Sequence, residues 1–149
     1  MKKEKVRQLA AVMFTDIVGY THLMETDENA AIKARARHRE VFEKEHKQHA
    51  GEIVQYFGDG TLSVLSSAVQ AVQCAIQIQK DLQTGDAVPL RIGLHLGDIV
   101  RDATEVYGDG VNVASRIESL GSKGSILLSE KINDELKNIC QIEHSRHRS

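Results

Sequence analysis

Residues 12–21 read VMFTDIVGYT, an apolar run that ends in a carboxylate and passes through a glycine-containing turn toward a helix. The run from Leu9 to Asp16 lacks strict alternation of apolar and polar residues, which is typical of a central strand covered on both faces. Such a strand delivers the Asp16 carboxylate to its end, beside the free backbone N–H groups of the turn. This arrangement suits a metal ion together with a phosphate chain.

A second acid stands in residues 56–61, YFGDGT, between the short β-prone runs 53–57 and 61–65. Asp-Gly between such runs predicts a β-hairpin, and a tight turn alone is a sufficient reason for an aspartate there. If Asp16 and Asp59 share a site, repulsion between the two carboxylates favours a cation between them. Mg²⁺ prefers one or two protein carboxylates plus substrate phosphates, so the pair predicts phosphoryl or nucleotidyl transfer.

The remaining pattern predicts an α+β domain of ferredoxin-like βαββαβ order, with helices against one face of a mostly antiparallel sheet. Residues 27–49 and 66–82 each begin at a candidate N-cap and continue as helices. In residues 90–97 bulky side chains alternate with small ones, and Gly93 and Gly97 indicate that another backbone approaches the small face. His46 and His49, in the first helix, are interpreted as solvated surface residues.

A third helix is predicted over residues 109–120. Its apolar positions predict a core stripe of Val113, Ala114, Ile117 and Leu120. Asn112 and Arg116 are four residues apart and share a face turned away from that stripe. This face meets solvent in an ordinary helix, or a cleft in an enzyme assembled at an interface.

Size and composition fit one soluble globular domain, because a chain of 149 residues buries a sizeable core unaided. We expect a charged lead-in at 1–8, the domain at 9–139 and a frayed tail at 140–149. A net charge of −2 with 4% aromatic residues disfavours nucleic-acid and anionic-membrane partners. Cys74 and Cys140 form no metal-ligand spacing, and nothing approaches the ~20 apolar residues of a membrane span, so a cytoplasmic location is expected.

Three blocks of this sequence resemble the signature motifs of class III nucleotide cyclase catalytic domains, in the family's order and at about its spacing. They are FTDIVGYT at 14–21, FGDG at 57–60 and YGDGVNVASRI at 107–117. The resemblance covers about residues 10–136 and agrees with the α+β reading. It implies a purine nucleotide cyclase that converts ATP to cyclic AMP and pyrophosphate. A guanylyl cyclase, which forms cyclic GMP from GTP, is the alternative.

The resemblance also implies a role for each matching residue. Two Mg²⁺ or Mn²⁺ ions per site would be held by Asp16, Asp59 and the carbonyl of Ile17. The phosphates would meet the backbone N–H groups of Gly19, Tyr20 and Thr21. These ions and the N–H groups together would activate the ribose 3′-hydroxyl and hold the triphosphate.

The third block carries the residues that the family places across a dimer interface. Arg116 matches the arginine that stabilises the transition-state phosphate, and Asn112 matches the residue that orients the ribose. In the family the active site lies between two domains, with the aspartates from one and the Asn/Arg pair from the other. A chain that holds both sets is therefore expected to form a symmetric homodimer with two equivalent sites, and a monomer should be inert.

Two departures from the family pattern leave alternatives open. Gln55 and Glu105 fall at the base-selecting positions, where adenylyl cyclases have lysine and aspartate or threonine. Gln55 can donate to adenine N1 and Glu105 can accept from N6, although a glutamate also suits the N–H groups of guanine. The family's triphosphate-gripping lysine would follow the last short strand and is missing before Ser149, as in a C-terminally truncated domain. A degenerate domain that dimerises and binds nucleotide without turnover is the third reading.

Overall fold

The computed structural model describes residues 5–146, with side chains as far as residue 138. The elements, in chain order, are β1 (Val6–Ile17), α1 (Tyr20–Thr26), α2 (Glu28–Gln48), β2 (Glu52–Phe57), β3 (Gly60–Leu65), α3 (Ala68–Leu82), β4 (Leu90–Arg101), β5 (Val106–Tyr107), α4 (Asp109–Ser119), β6 (Ile126–Leu128) and α5 (Glu130–Arg146).

The sheet has the strand order β2-β3-β1-β4-β5, with antiparallel neighbours throughout this series. The short strand β6 pairs in parallel with the first half of β4. The series β1, α2, β2, β3, α3, β4 follows the predicted βαββαβ order, and the α+β ferredoxin-like fold is confirmed. The sheet places β1, which carries Asp16, at its centre.

Both faces of the sheet are covered by helices. One face packs on α2, α3 and α5 through a large apolar core that includes Met13, Phe42, Ile78, Leu94 and Ile132. The other face packs on α4 through a smaller cluster that includes Ala10, Val12, Leu62, Ile99 and Ala114. The expected arrangement, with helices on one face, therefore holds for α2, α3 and α5 but not for α4.

The position of α4 follows from the glycines of β4. A Cβ atom on Gly93 would lie 2.5 Å from the backbone nitrogen of Glu118, so only glycine lets the helix approach this closely. This confirms the predicted backbone approach. The buried face of α4 consists of Gly110, Ala114 and Glu118, whereas Leu120 is 80% exposed. The predicted stripe is thus right at Ala114 and wrong at Leu120, because close packing against β4 turns the face of Gly110, Ala114 and Glu118 inward.

Several boundaries differ from the sequence prediction. Strand β1 begins at Val6, and β4 continues without a break to Arg101. Helix α5 reaches Arg146, past the expected start of the tail at residue 140. The remainder of the tail and residues 1–4 lie outside the described residues, as does the side chain of Cys140. None of the described helices combines the length and hydropathy that crossing a bilayer requires.

The inner face of α2 carries two buried histidines. His46 is 1% exposed, and its two ring nitrogens lie 2.7 Å from Ser63 Oγ and 2.8 Å from the Phe42 carbonyl oxygen. His38 is also 1% exposed and lies 3.2 Å from Thr15 Oγ1. The surface interpretation of His46 is wrong, because the Ser63 hydroxyl on β3 and the Phe42 carbonyl one helical turn earlier satisfy the imidazole inside the core.

These histidines predict a loss of stability in acid. Burial lowers the pKa of both His38 and His46 from 6.5 to about 4. Below pH 6.5 these two imidazoles therefore bind protons in the unfolded chain, whereas in the folded chain they stay unprotonated until about pH 4. We expect the free energy of unfolding to fall across this window, by about 2 kcal/mol per histidine at pH 5.

Urea denaturation of wild type and His38→Gln at pH 7 and pH 5 measures this loss. Between the two pH values His38→Gln should lose about 2 kcal/mol less stability than wild type does, whereas His22→Gln, an exposed control on α1, should behave as wild type. Equal pH dependence in wild type and His38→Gln would show that this buried imidazole does not resist protonation.

Candidate active site

The two predicted metal-binding aspartates meet at one end of the sheet. Asp16 is the penultimate residue of β1, and Asp59 lies in the turn between β2 and β3. The pairing of Thr15 with Thr61 brings this turn beside the strand end, and Asp59 Oδ2 accepts a hydrogen bond of 3.1 Å from the Ile17 backbone N–H. The structure therefore brings together Asp16, Ile17 and Asp59, as the sequence predicts.

The hairpin turn does not account for Asp59. The left-handed residue of this turn is Gly58, with φ of 50°, and Ala50 is the one non-glycine with positive φ in the described range. Asp59 is therefore not needed to tolerate that conformation. Its carboxylate instead points to the end of β1, where burial raises its pKa although the Ile17 N–H opposes that shift.

Arg91 completes the constellation, and the sequence analysis missed it. Its Nε and Nη2 donate to the two carboxylate oxygens of Asp16, at 2.9 and 2.6 Å. Arg91 stands directly opposite Asp16 in the antiparallel pairing of β1 and β4. The signal that could have found it was the strand register, which places residues 16 and 91 side by side once the two strands are paired.

Glu118 is a second residue that the sequence analysis missed. This glutamate of α4 is 4% exposed and faces the same side of the sheet as Asp16 and Arg91. Burial, with Asp16 as the next cause, raises the pKa of the Glu118 carboxyl to about 8. Three acids thus crowd around one guanidinium, an arrangement that a divalent cation would relieve.

The donor set fits a hard divalent cation. Asp16, Asp59 and the Ile17 carbonyl offer oxygen ligands alone, which suit Mg²⁺ or Mn²⁺ better than softer metals. Across the part of the chain that the structure describes, no group of three or more His, Cys, Asp or Glu side chains is arranged to hold a metal. A metal at the aspartate pair would therefore complete its shell with water and substrate phosphates.

The predicted phosphate-binding residues form the start of α1. Gly19 is the N-cap residue, with φ of 73°, and no side chain caps this end of the helix. The N–H groups of Tyr20 and Thr21, in the first turn, have no partner within the helix and remain available to an acceptor. The Val18 N–H donates to the Pro89 carbonyl at 2.8 Å, which fixes the turn that leads from Asp16 to the helix.

Asn112 and Arg116 lie elsewhere on the domain surface. Both are exposed on α4, and Arg116 Nε donates over 3.4 Å to the Asn112 carbonyl. Neither side chain forms an ion pair or hydrogen bond with Asp16 or Asp59 within the described residues. The structure does not bring this pair to the aspartates of the same protomer.

The two predicted base-selecting residues lie on different elements. Gln55 is exposed on β2, and Glu105 is exposed in the loop between β4 and β5, where its N–H donates to Asp102 Oδ1 at 2.9 Å. Strands β2 and β5 form the two ends of the strand order, with three strands between them. The ends of the order are nevertheless connected, because Arg101, which pairs with Val106 on β5, reaches the Glu52 carboxylate on β2 at 2.7 Å.

Comparison with known proteins identifies the family of the chain. The sequence profile described as the adenylate and guanylate cyclase catalytic domain matches residues 2–148. The chain belongs to this family. The cyclase domain is 41% identical to the Rhizobium meliloti protein named "Putative adenylate cyclase 3", over 90% of this chain and 24% of the relative. It is 31% identical to an adenylate cyclase of Mycobacterium bovis, over 93% of this chain and 36% of that protein.

A solved structure shows the same fold. The adenylate/guanylate cyclase/hydrolase of Silicibacter pomeroyi superposes with a TM-score of 0.82 at 32% identity, over 91% of this chain and 83% of that one. The resemblance to class III cyclases is confirmed. The cyclase domain spans about a quarter to a third of the length of the two relatives above, at 24% and 36%.

Proposed function

We propose that this domain is an adenylate cyclase, which converts ATP to cyclic AMP and pyrophosphate. The observation that carries the proposal is the meeting of Asp16 and Asp59 at the end of β1, tied by the Ile17 N–H, in a chain of the cyclase family. The reaction needs a site for a triphosphate and a metal at one place. The aspartate pair and the uncapped start of α1 together provide such a place.

Each residue then has a chemical task. Asp16, Asp59 and the Ile17 carbonyl would hold Mg²⁺ or Mn²⁺, which would supply Lewis-acid stabilisation of the ribose oxygen and the triphosphate. In the reaction the 3′-hydroxyl gives its proton to water, its oxygen bonds to the α-phosphorus, and the bond from that phosphorus to the bridging oxygen breaks to release pyrophosphate. The first-turn N–H groups, at Gly19, Tyr20 and Thr21, bind the phosphates as they acquire charge.

We assign the remaining tasks to a second copy of the chain. Arg116 of one protomer spreads the negative charge on the α-phosphate bound by its partner, and Asn112 orients the ribose. Their exposure on α4, away from the aspartates of their own protomer, supports this division. Gln55 and Glu105 would contact the base, Gln55 as a donor and Glu105 as an acceptor.

ATP is the favoured substrate. The two relatives named above are adenylate cyclases by name, and Gln55 with Glu105 offers adenine a donor and an acceptor. Purified full-length protein, incubated with MnCl₂ and either ATP or GTP, should form cyclic AMP faster than cyclic GMP. A faster yield of cyclic GMP would reassign the enzyme as a guanylyl cyclase, and the absence of both products would remove the enzyme assignment.

A nucleotide-binding domain without turnover is the second candidate. It is favoured by one observation, since both oxygens of Asp16 are occupied by Arg91 and not free for a metal. Calorimetry that detects ATP binding in the presence of Mn²⁺, with no product after hours, would favour this candidate over the enzyme.

A further inference from the structure

The Asp16 carboxylate has two competing uses. Arg91 engages both of its oxygens in a forked pair, while the proposed function requires the same oxygens to hold a divalent cation. A guanidinium carries its charge at every physiological pH and has five donors but no acceptor, so it needs another anion when Asp16 turns to the metal. The site must therefore supply Arg91 with a second partner.

Glu118 is the carboxyl group placed for this purpose. Arg91 and Gly93 point to the same face of β4, and the backbone of Glu118 is seated against Gly93, where a Cβ atom would lie 2.5 Å from its nitrogen. Arg91 Nη1 also reaches the carbonyl of Ser119, the next residue of α4, at 3.4 Å. The guanidinium therefore already extends from Asp16 to the turn of α4 that carries Glu118.

One oxygen of the Glu118 side chain is unused in the structure as it stands, while the carboxyl is hydrogen-bonded to Asp16, which helps to raise its pKa. The Oε1 atom is buried and has no hydrogen-bond partner among the described residues. An unpaired buried carboxyl oxygen costs free energy, so a partner gained in another arrangement of the site would stabilise it. An arrangement in which Arg91 turns from Asp16 toward α4 would employ it.

We propose that Glu118 is a positioning residue that receives the Arg91 guanidinium when Asp16 binds a divalent cation. This inference rests on the proposed function, because it takes Asp16 and Asp59 as the metal site. Without Glu118 the guanidinium has no carboxylate outside the proposed metal site and stays on Asp16, where it competes with the cation. The role of Glu118 is therefore exerted through Arg91 and not by contact with metal or nucleotide.

The test measures Mn²⁺ binding to the full-length protein without nucleotide, by the electron paramagnetic resonance signal of the free ion. Glu118→Gln should weaken Mn²⁺ binding by about tenfold, as expected for loss of a residue that supports a metal ligand. Glu118→Asp should restore part of it. In an Arg91→Gln background the Glu118→Gln change should have no effect, because the competing guanidinium is gone.

The matched control is Glu45→Gln. Glu45 is 1% exposed and its Oε1 is also buried without a hydrogen-bond partner among the described residues, but it lies on α2, against the other face of the sheet. It should leave Mn²⁺ binding unchanged. Unchanged binding in Glu118→Gln, or equal weakening with and without Arg91, overturns the inference. If wild type and Asp16→Asn bind Mn²⁺ alike, the metal site of the proposed function fails first.

Discussion

Asp16→Asn is expected to lower kcat for cyclic AMP formation by about three orders of magnitude, because the site loses several kcal/mol of metal-based stabilisation. An amide keeps the shape of the carboxylate but not its charge, so the repulsion with Asp59 that favours a cation disappears. The change also leaves Arg91 with a neutral acceptor in place of the pair at 2.6 and 2.9 Å. The guanidinium charge then opposes a cation at Asp59.

Steady-state kinetics with ATP and MnCl₂ measure this effect, and a thermal melt shows whether the variant is folded. Asp27→Asn is the matched control, since Asp27 caps α2 by accepting from the Ala30 N–H at 3.2 Å. Asparagine caps a helix about as well as aspartate, so this variant should keep wild-type activity and stability. An Asp16→Asn protein that retains more than about a tenth of kcat would show that the carboxylate does not hold the metal.

The acid pair could be predicted from sequence because its determinants are local. The strand that ends in Asp16 and the hairpin turn that contains Asp59 can each be recognised from a segment of about ten residues. The resemblance of their motifs to the cyclase family then joins them in one site. The structure adds the link between them, which is the Ile17 N–H donating to Asp59.

Arg91 and Glu118 could not be predicted by the same means. Arg91 alternates with apolar residues on β4 and reads as an ordinary outward residue until β4 is paired with β1. Glu118 reads as a solvated position because the predicted apolar stripe of α4 pointed elsewhere. The stripe was wrong at Leu120, because Gly93 lets the backbone of α4 approach β4 at Glu118 and this turns the Glu118 side of the helix inward. The positions of Arg91 and Glu118 in the site therefore depend on tertiary packing, which no local sequence pattern contains.

The histidines of α2 show the same limit. His46 lies in a helix rich in Lys, Glu and Arg, a composition that is typical of a solvated surface. Its hydrogen-bond partner Ser63 lies on β3, and the periodicity of the helix carries no information about that hydroxyl. Buried polar groups are specified by pairs of residues distant in sequence, so single-segment patterns misplace them.

Mixing two inactive variants is expected to restore activity. Arg116→Ala alone should lower kcat by about 10²- to 10³-fold, since a charged donor to the transition state is lost. Because Asp16 and Arg116 do not meet within one protomer, a heterodimer of Asp16→Asn and Arg116→Ala subunits would combine intact aspartates from one chain with an intact arginine from the other. One of its two sites would then be complete.

The size of the recovery follows from the symmetry of the dimer. Random pairing of equal amounts gives about half heterodimers, each with one working site of two, so the mixture should reach about a quarter of wild-type activity. A mixture of Asp16→Asn with Asp59→Asn is the control and should stay inactive, because both changes fall on the same half of the site. If differently tagged subunits co-purify as heterodimers and the first mixture also stays inactive, Arg116 does not act on the nucleotide bound at the partner's aspartates. The site would then have to be built within one chain, which the exposure of Arg116 on the far side of α4 from Glu118 argues against.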